Sequence, residues 1–262
     1  MSPGSGGRVV ALVPAYERAD SVTATVEALQ ALADVDEVLV VDDGSRDATG
    51  GIARAAGARV VHLAANVGKG GAVAAGVAAT PDADIYLLLD ADVGRTALAA
   101  HSLLGPLLAD EADMTIAVLP TAGHRGGFGL VRNLSRWGIR RACGFEATAP
   151  LSGQRAVRAE LLRSLEPAAR FGLEVGLTID AVRQGARVLE VPVGLDHRHT
   201  GRRLSGFAHR GRQGADIVRA LWPRLRSARS QSALTPVAPV NLRAVVFALA
   251  EGRTAHPSPA RS

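Results

Sequence analysis

Two hydrophobic periods alternate along the first half of the chain. Residues 9–13, 37–41, 59–63, 85–89 and 114–118 are short, nearly continuous apolar runs. Between them, residues 21–32, 47–56, 68–79 and 96–108 carry apolar positions at helical spacing. Short apolar strands separated by ten- to fifteen-residue helices predict βαβ units and an α/β fold. Its sheet is expected to be doubly wound, mostly parallel and covered on both faces, in the Rossmann-like manner. From 121 to 149 the pattern breaks, with Gly and Arg dense around His124-Arg125-Gly126-Gly127-Phe128-Gly129, before a basic helix predicted at 130–143. It resumes with a strand at 151–157, a helix from Arg158, a helix at 173–184, a strand at 187–193 and a helix at 202–221 stopped by Pro223. After Ser227 the composition turns to Ser, Ala and Pro, which predicts a loosely held tail.

In such sheets ligands sit beyond the carboxyl ends of the strands, so the residues after each strand are the informative ones. The first strand ends in Val13-Pro14-Ala15-Tyr16-Glu17 and the second in Val41-Asp42-Asp43-Gly44-Ser45-Arg46-Asp47. Asn66-Val67-Gly68-Lys69-Gly70 follows the third, and Leu89-Asp90-Ala91-Asp92 the fourth. Each has a plain alternative: Asp-Gly-Ser is a common turn, and Asp47 can simply cap a helix. Together they have a chemistry. Two aspartates one residue apart after a strand present carboxylate oxygens to Mg²⁺ or Mn²⁺, which usually takes one or two carboxylates plus phosphate oxygens. Asp42 is placed to accept hydrogen bonds from a base or ribose. The glycines at 68, 70 and 71 let backbone approach a phosphate or sugar at a helix N-terminus. A P-loop is excluded because Gly70, not Ser or Thr, follows Gly68-Lys69. The first strand is not followed by Gly-x-Gly-x-x-Gly, which disfavours a dinucleotide dehydrogenase.

Composition narrows the classes. Apolar residues are 47% of 262, so wholesale disorder is excluded; aromatics are 3%, which argues against a stacking platform for single-stranded nucleic acid. The lone Cys143 excludes an internal disulfide and a multi-cysteine metal site. No apolar run approaches the roughly 20 residues of a bilayer crossing, and Arg8 opens the first strand with no signal-peptide pattern before it. A soluble, cytoplasmic protein is therefore expected. Of the 30 basic residues, one is Lys69 and the other 29 are arginine, for a net charge of +5. Arg132, Arg136 and Arg140 fall four apart on one helix face, toward solvent or an anion. Nucleic acid is the weaker partner, since no recognised binding motif accompanies the charge.

Val-Pro-Ala-Tyr-Glu, Val-Asp-Asp-Gly-Ser-x-Asp, Asn-x-Gly-Lys-Gly and Leu-Asp-Ala-Asp, in this order over roughly residues 8–120, resemble family-2-type glycosyltransferases of the GT-A fold. The resemblance implies a donor site bordered by Pro14, Ala15, Tyr16 and Glu17, with Asp42 and Asp43 at base and ribose. Gly68 and Lys69 would lie by the phosphates or sugar, alongside Asp90 and Ala91. Asp90 and Asp92 would be the metal pair, with Asp92 the expected direct ligand. In the second half, Pro150-Leu151-Ser152-Gly153-Gln154-Arg155-Ala156, Phe171 to Asp180 and Val191-Pro192-Val193…His197-Arg198 look like the glucosyl-3-phosphoglycerate synthase branch; dolichyl-phosphate mannose synthase-like enzymes share some features. That implies an acceptor site of Ser152, Gly153, Gln154, Arg155 and Glu174, and His197 as a further metal ligand, with His199 its near alternative. Gln154 stands where the first branch usually has a glutamate.

The expected organisation is a lead at 1–7, a nucleotide-sugar-binding half at 8–120, an acceptor-binding half at 121–225 forming the C-terminal extension, and a tail at 226–262. The expected enzyme is a metal-assisted hexosyltransferase taking its sugar from a UDP-glucose-like donor, with Asp92 and Glu174 as catalytic residues. Its acceptor is expected to be a small phosphorylated molecule, favoured mildly over a polyprenyl phosphate at the membrane by the lack of a C-terminal membrane helix. Peripheral membrane contact and a homodimer stay open. Two rivals are a sugar-1-phosphate nucleotidyltransferase, which needs a Gly-rich loop where Pro14-Ala15-Tyr16-Glu17 stands, and a non-catalytic nucleotide-sugar binder, against which the intact Asp90 and Asp92 count.

Overall fold

The apolar runs become strands because both of their faces are covered. The computed structural model of the chain describes residues 7–119, 128–165, 173–195, 221, 224 and 225. Along β1 (Val9–Ala15), Val9, Ala11 and Val13 pack into one core cluster and Val10 and Leu12 into the other. The same parity runs through β2 (Glu37–Asp42) and β4 (Ile85–Leu88), so the sheet divides two cores. Among the described residues the sheet has seven strands, completed by β3 (Arg59–His62), β5 (Met114–Val118), β6 (Arg155–Arg158) and β7 (Val188–Pro192). Their order is β3-β2-β1-β4-β6-β5-β7.

The helices are α1 (Val22–Gln30), α2 (Thr49–Ala55), α3 (Lys69–Ala79), α4 (His101–Leu108), α5 (Phe128–Cys143), α6 (Ala159–Ser164) and α7 (Leu173–Arg183). Ile139 and Ala142 of α5 pack on Val175 and Ile179 of α7 in a third cluster. α3 lies close on the sheet through Gly76, where an added Cβ would sit 2.2 Å from Leu12 Cδ1 and 3.1 Å from Val41 Cγ2. Gly76→Ala is expected to destabilise the fold by about 1–3 kcal/mol through overpacking, read as a lower urea midpoint at unchanged slope.

One strand departs from the parallel pattern in a way that matters for the site. β6 pairs antiparallel with both β4 and β5, with Leu88 opposite Arg155 and Ile85 opposite Arg158. A parallel strand brings its last residue to the carboxyl edge of the sheet; an antiparallel one brings its first. Residues 151–154, expected to begin the strand, instead form the turn leading into it, at the edge where β4 ends. The helix expected at 96–108 is a 3-10 helix, Gly94–Ala100, followed by α4, with Gly94 at φ +56° and Pro106, which has no N–H, inside α4. The helix expected at 202–221 and the tail lie outside the described residues, apart from 221, 224 and 225. No helix among the described residues is long and apolar enough to cross a membrane.

Candidate active site

Three loops at the carboxyl edge are tied by side chains that accept backbone N–H groups. Asp43 accepts from Val67 and Gly68, both at 2.8 Å, and so fixes the turn that starts α3. Gly68 has φ +85°, a conformation that favours glycine. Asp47 accepts from Ala19 at 3.2 Å and from Thr49 at 3.0 Å, joining the loops after β1 and β2 just before α2 begins. Glu17 donates its N–H to Ser45 Oγ at 2.9 Å, from a backbone held at φ +53°. Glu190 on β7 accepts from Thr148 and Ala149 at 2.8 Å each, which seats the segment leading into Ser152 and Gly153.

The centre of the edge is an ionic cluster. Lys69, the first residue of α3, places Nζ 2.6 Å from Asp90 Oδ1 and 3.2 Å from Glu174 Oε1. Burial alone would lower the Lys69 ammonium; the two carboxylates outweigh it and hold it above the ordinary lysine value. Gln154, fully buried, grips Asp90 twice: its Nε2 donates to Oδ2 at 2.7 Å and its Oε1 accepts the Asp90 N–H at 2.9 Å. Both Asp90 oxygens therefore have a donor from a side chain. Gly153 lies against this cluster, since a Cβ there would be 2.2 Å from Lys69 Nζ, 3.4 Å from Glu174 Oε1 and 3.5 Å from Asp90 Oδ2. Gly153→Ala should keep the fold, because the ammonium ends a flexible chain, yet displace Lys69. Its turnover is expected to fall roughly tenfold to a hundredfold, with the melting temperature within about 2 °C of the parent.

Arg155 is buried behind the cluster and donates to Ser152 O at 3.0 Å, Thr178 Oγ1 at 3.0 Å and Glu174 O at 2.9 Å. Burial pulls its guanidinium down to about 10, against the pull of Glu174 and Glu190 upward. It brackets the turn before β6 to the first turn of α7, so the Glu174 carboxylate is aimed back at Lys69. Ser152 Oγ is buried with no hydrogen-bond partner among the described residues. A cleft opens here, lined by Pro14, Lys69, Gly153, Arg155 and Glu174 with apolar neighbours from α7.

The expected donor residues converge only in part. Pro14 and Ala15 end β1 and Tyr16 and Glu17 follow it, and Ala91, buried, accepts from Thr25 Oγ1 at 2.9 Å. Asp42 and Asp43 are both buried, and both Asp43 oxygens are taken up by N–H groups of the loop after β3. Gln154 and Arg155, expected toward the acceptor, face Asp90 and the α7 backbone. Asp92 is 19% exposed with Arg18 Nε at 3.5 Å. His197 and His199 lie outside the described residues. Arg18 and His62 belong to this edge and no motif flagged them. His62 could have been read as the last residue of a strand whose neighbour ends in Asp42.

A divalent metal fits this set. Among the described residues no group of three or more His, Cys, Asp or Glu is placed to hold one. Mg²⁺ and Mn²⁺ commonly take one or two carboxylates and leave the remaining positions to phosphate oxygens and water. The Asp90 oxygens meet Lys69 and Gln154, and an Asp92 oxygen meets Arg18.

Comparison with known proteins agrees with this geometry. The model of the glycosyl transferase family 2 domain matches residues 10–151. The chain is 34% identical over 200 residues to glucosyl-3-phosphoglycerate synthase of Mycobacterium tuberculosis, covering 66% of this chain and 61% of that protein's length. It is 30% identical over 216 residues to undecaprenyl-phosphate mannosyltransferase of Micrococcus luteus, covering 76% of this chain and 88% of that one. The crystal structure of the M. tuberculosis synthase with Mn²⁺, uridine-diphosphate-glucose and phosphoglyceric acid superposes with a TM-score of 0.71 at 30% identity, over 85% of this chain and 81% of the other. The mixed, mostly parallel sheet with helices on both faces is the GT-A arrangement of that structure.

Proposed function

The chain belongs to glycosyl transferase family 2, and on that footing we propose that it transfers a hexose from a UDP-glucose-like donor to a hydroxyl of a phosphorylated acceptor. One observation carries the reading: Lys69 joins Asp90, from the donor half, to Glu174, from the acceptor half, beside a glycine whose missing side chain makes space for the ammonium. The likeness to a synthase solved with Mn²⁺, uridine-diphosphate-glucose and phosphoglyceric acid supports the choice of donor and acceptor.

In this reading Asp92, with His197, holds Mg²⁺ or Mn²⁺. The cation, when bound, neutralises the departing diphosphate. Lys69 lies beside the transferring sugar and its phosphate, as a compact charge already oriented by two carboxylates. Pro14, Tyr16, Glu17 and Asp42 border the nucleoside. Ser152 and Gly153 form the wall against which the acceptor sits, and the Glu174 carboxylate accepts a hydrogen bond from its hydroxyl. Positioning two reactants across one cluster is itself a large share of such a rate.

A second reading, a polyprenyl-phosphate acceptor at a membrane surface, is favoured by one feature. The outward face of α5 exposes Leu134 and Trp137, the latter 55% exposed, beside Arg136, Arg140 and Arg141, with no acidic residue on the helix. The test is calorimetric titration of nucleotide sugars with and without Mn²⁺, then product analysis with 3-phosphoglycerate and with polyprenyl phosphate in mixed micelles. Donor binding that needs Mn²⁺, and a product with the first acceptor, is the expected result. Product with the lipid alone selects the second reading, and absence of nucleotide-sugar binding removes both.

A further inference from the structure

His62 ends β3 directly beside Asp42, its register partner at the end of β2. Its Nδ1 lies 2.9 Å from Asp42 Oδ2. The two differ sharply in environment: the His62 side chain is 58% exposed and the Asp42 carboxylate 4%. A buried carboxylate requires donors, and Asp42 has one on each oxygen. Oδ1 accepts the Ser45 N–H at 3.0 Å and Oδ2 takes the imidazole. Because a carboxylate only accepts, Nδ1 carries the proton and Nε2 is left as an acceptor in the neutral ring. The first turn of α2 closes on the same oxygen: a Cβ on Gly50 would stand 2.7 Å from Oδ2. Burial raises the Asp42 carboxyl, but hydrogen bonds from Ser45 and His62 bring it below the usual carboxylate range.

The contacts continue past Asp42. Ser45, whose N–H is held by Asp42, offers its Oγ to the Glu17 N–H at 2.9 Å. A short chain of hydrogen bonds thus runs from an exposed imidazole through a buried carboxylate to the left-handed residue of the loop after β1. Asp43 N–H to Ala15 O, at 2.8 Å, reinforces the same junction from the backbone.

We propose that His62 is a positioning residue for the donor nucleoside, fixing the Asp42 carboxylate and, through Ser45, the Tyr16–Glu17 loop in the arrangement that receives base and ribose. This rests on the reading of Asp42 as a donor contact. Removing the imidazole frees Oδ2 to turn toward Gly50 or to draw in water, and loosens the loop before any ligand arrives. The diphosphate end, held from α3 and β4, is untouched.

The test is calorimetric titration with UDP and, separately, with inorganic pyrophosphate, both with Mn²⁺, on the full chain and its His62→Ala, His62→Asn and Asp42→Asn variants. Donor KM and kcat are measured alongside. His62→Ala is expected to weaken UDP about tenfold, the scale of one hydrogen bond to a charged group, and to raise donor KM with kcat within about twofold. Pyrophosphate affinity should stay at the parent value. His62→Asn, whose amide nitrogen takes the place of Nδ1, should bind UDP within about twofold of the parent. If Asp42→Asn weakens UDP and His62→Ala does not, the positioning role is wrong while the donor reading stands. Equal losses in His62→Ala and His62→Asn, or a matching loss of pyrophosphate, also overturn it. If Asp42→Asn binds UDP as the parent does, the donor reading of Asp42 falls, and the proposal with it.

Discussion

Asp92→Asn is expected to lower transfer about 10³-fold, the scale of losing one charge-stabilising group at a reaction centre, while leaving the melting temperature unchanged. The asymmetry of the pair is the reason. Asp90 meets the Lys69 ammonium at 2.6 Å, which matches its charge, and the neutral Gln154 amide at 2.7 Å, which holds its second oxygen. In the proposed site Asp92, 19% exposed with Arg18 at 3.5 Å, is the carboxylate assigned to a cation shared with a diphosphate. Asparagine keeps its shape and volume and removes the charge. A partly exposed substitution outside the core shifts stability by only about 0.5 kcal/mol, so the loss belongs to function and not to folding. Mn²⁺ affinity measured by electron paramagnetic resonance in the presence of UDP should fall in parallel, a readout independent of turnover. Full activity in Asp92→Asn would overturn the assignment of the metal site. Loss of activity with undiminished Mn²⁺ affinity would move Asp92 from metal binding to substrate contact.

What the sequence made legible follows from how each feature is written in it. Strands buried on both faces read as continuous apolar runs, and β1, β2 and β4 sit where those runs lie. The site-bearing loops were legible because glycine and aspartate cluster after strands for backbone reasons, as Gly68 at φ +85° and Asp47, which accepts the Thr49 N–H, show. Strand direction is not written in periodicity: an antiparallel β6 has the same apolar pattern as a parallel one, and only its pairing with Leu88 shows why Gly153 and Gln154 reach Asp90. Side-chain direction is equally hidden. Asp42 and Asp43 are adjacent, yet one meets His62 and Ser45 and the other the N–H groups of Val67 and Gly68. Gln154 and Arg155 look like acceptor groups in a linear motif, and in three dimensions they hold Asp90 and α7 in place. Long-range partners such as His62, 20 residues from Asp42, have no local signature at all.

Lys69→Met is expected to cost about 10²–10³-fold in turnover, from loss of a preorganised cation beside the departing phosphate, and to destabilise the fold as well. The substitution leaves Asp90 and Glu174 facing the space of one missing ammonium that stood 2.6 and 3.2 Å from them. Because Lys69 is itself 26% exposed, water recovers part of the difference, and a loss of about 1–2 kcal/mol is expected rather than the 3–5 of a fully buried pair. The sign with pH follows. In the parent, an ammonium held above its ordinary value contributes stability throughout the range below about pH 10 and loses it only on further rise. Lys69→Met has no such group to lose, so the gap in melting temperature between parent and variant should narrow as pH rises well above about 10; a gap that stays constant there would show that Lys69 is not the counter-charge of Asp90 and Glu174. Lys69→Arg separates charge from size. A Cβ on Gly153 would already stand 2.2 Å from Nζ, so the pocket is closed on the side where a guanidinium fork would extend. The arginine variant should keep most of the stability and lose most of the turnover. In a chain whose other 29 basic residues are all arginine, this position is the one where that residue does not fit, and parent-like kinetics in Lys69→Arg would make the lysine an accident of composition.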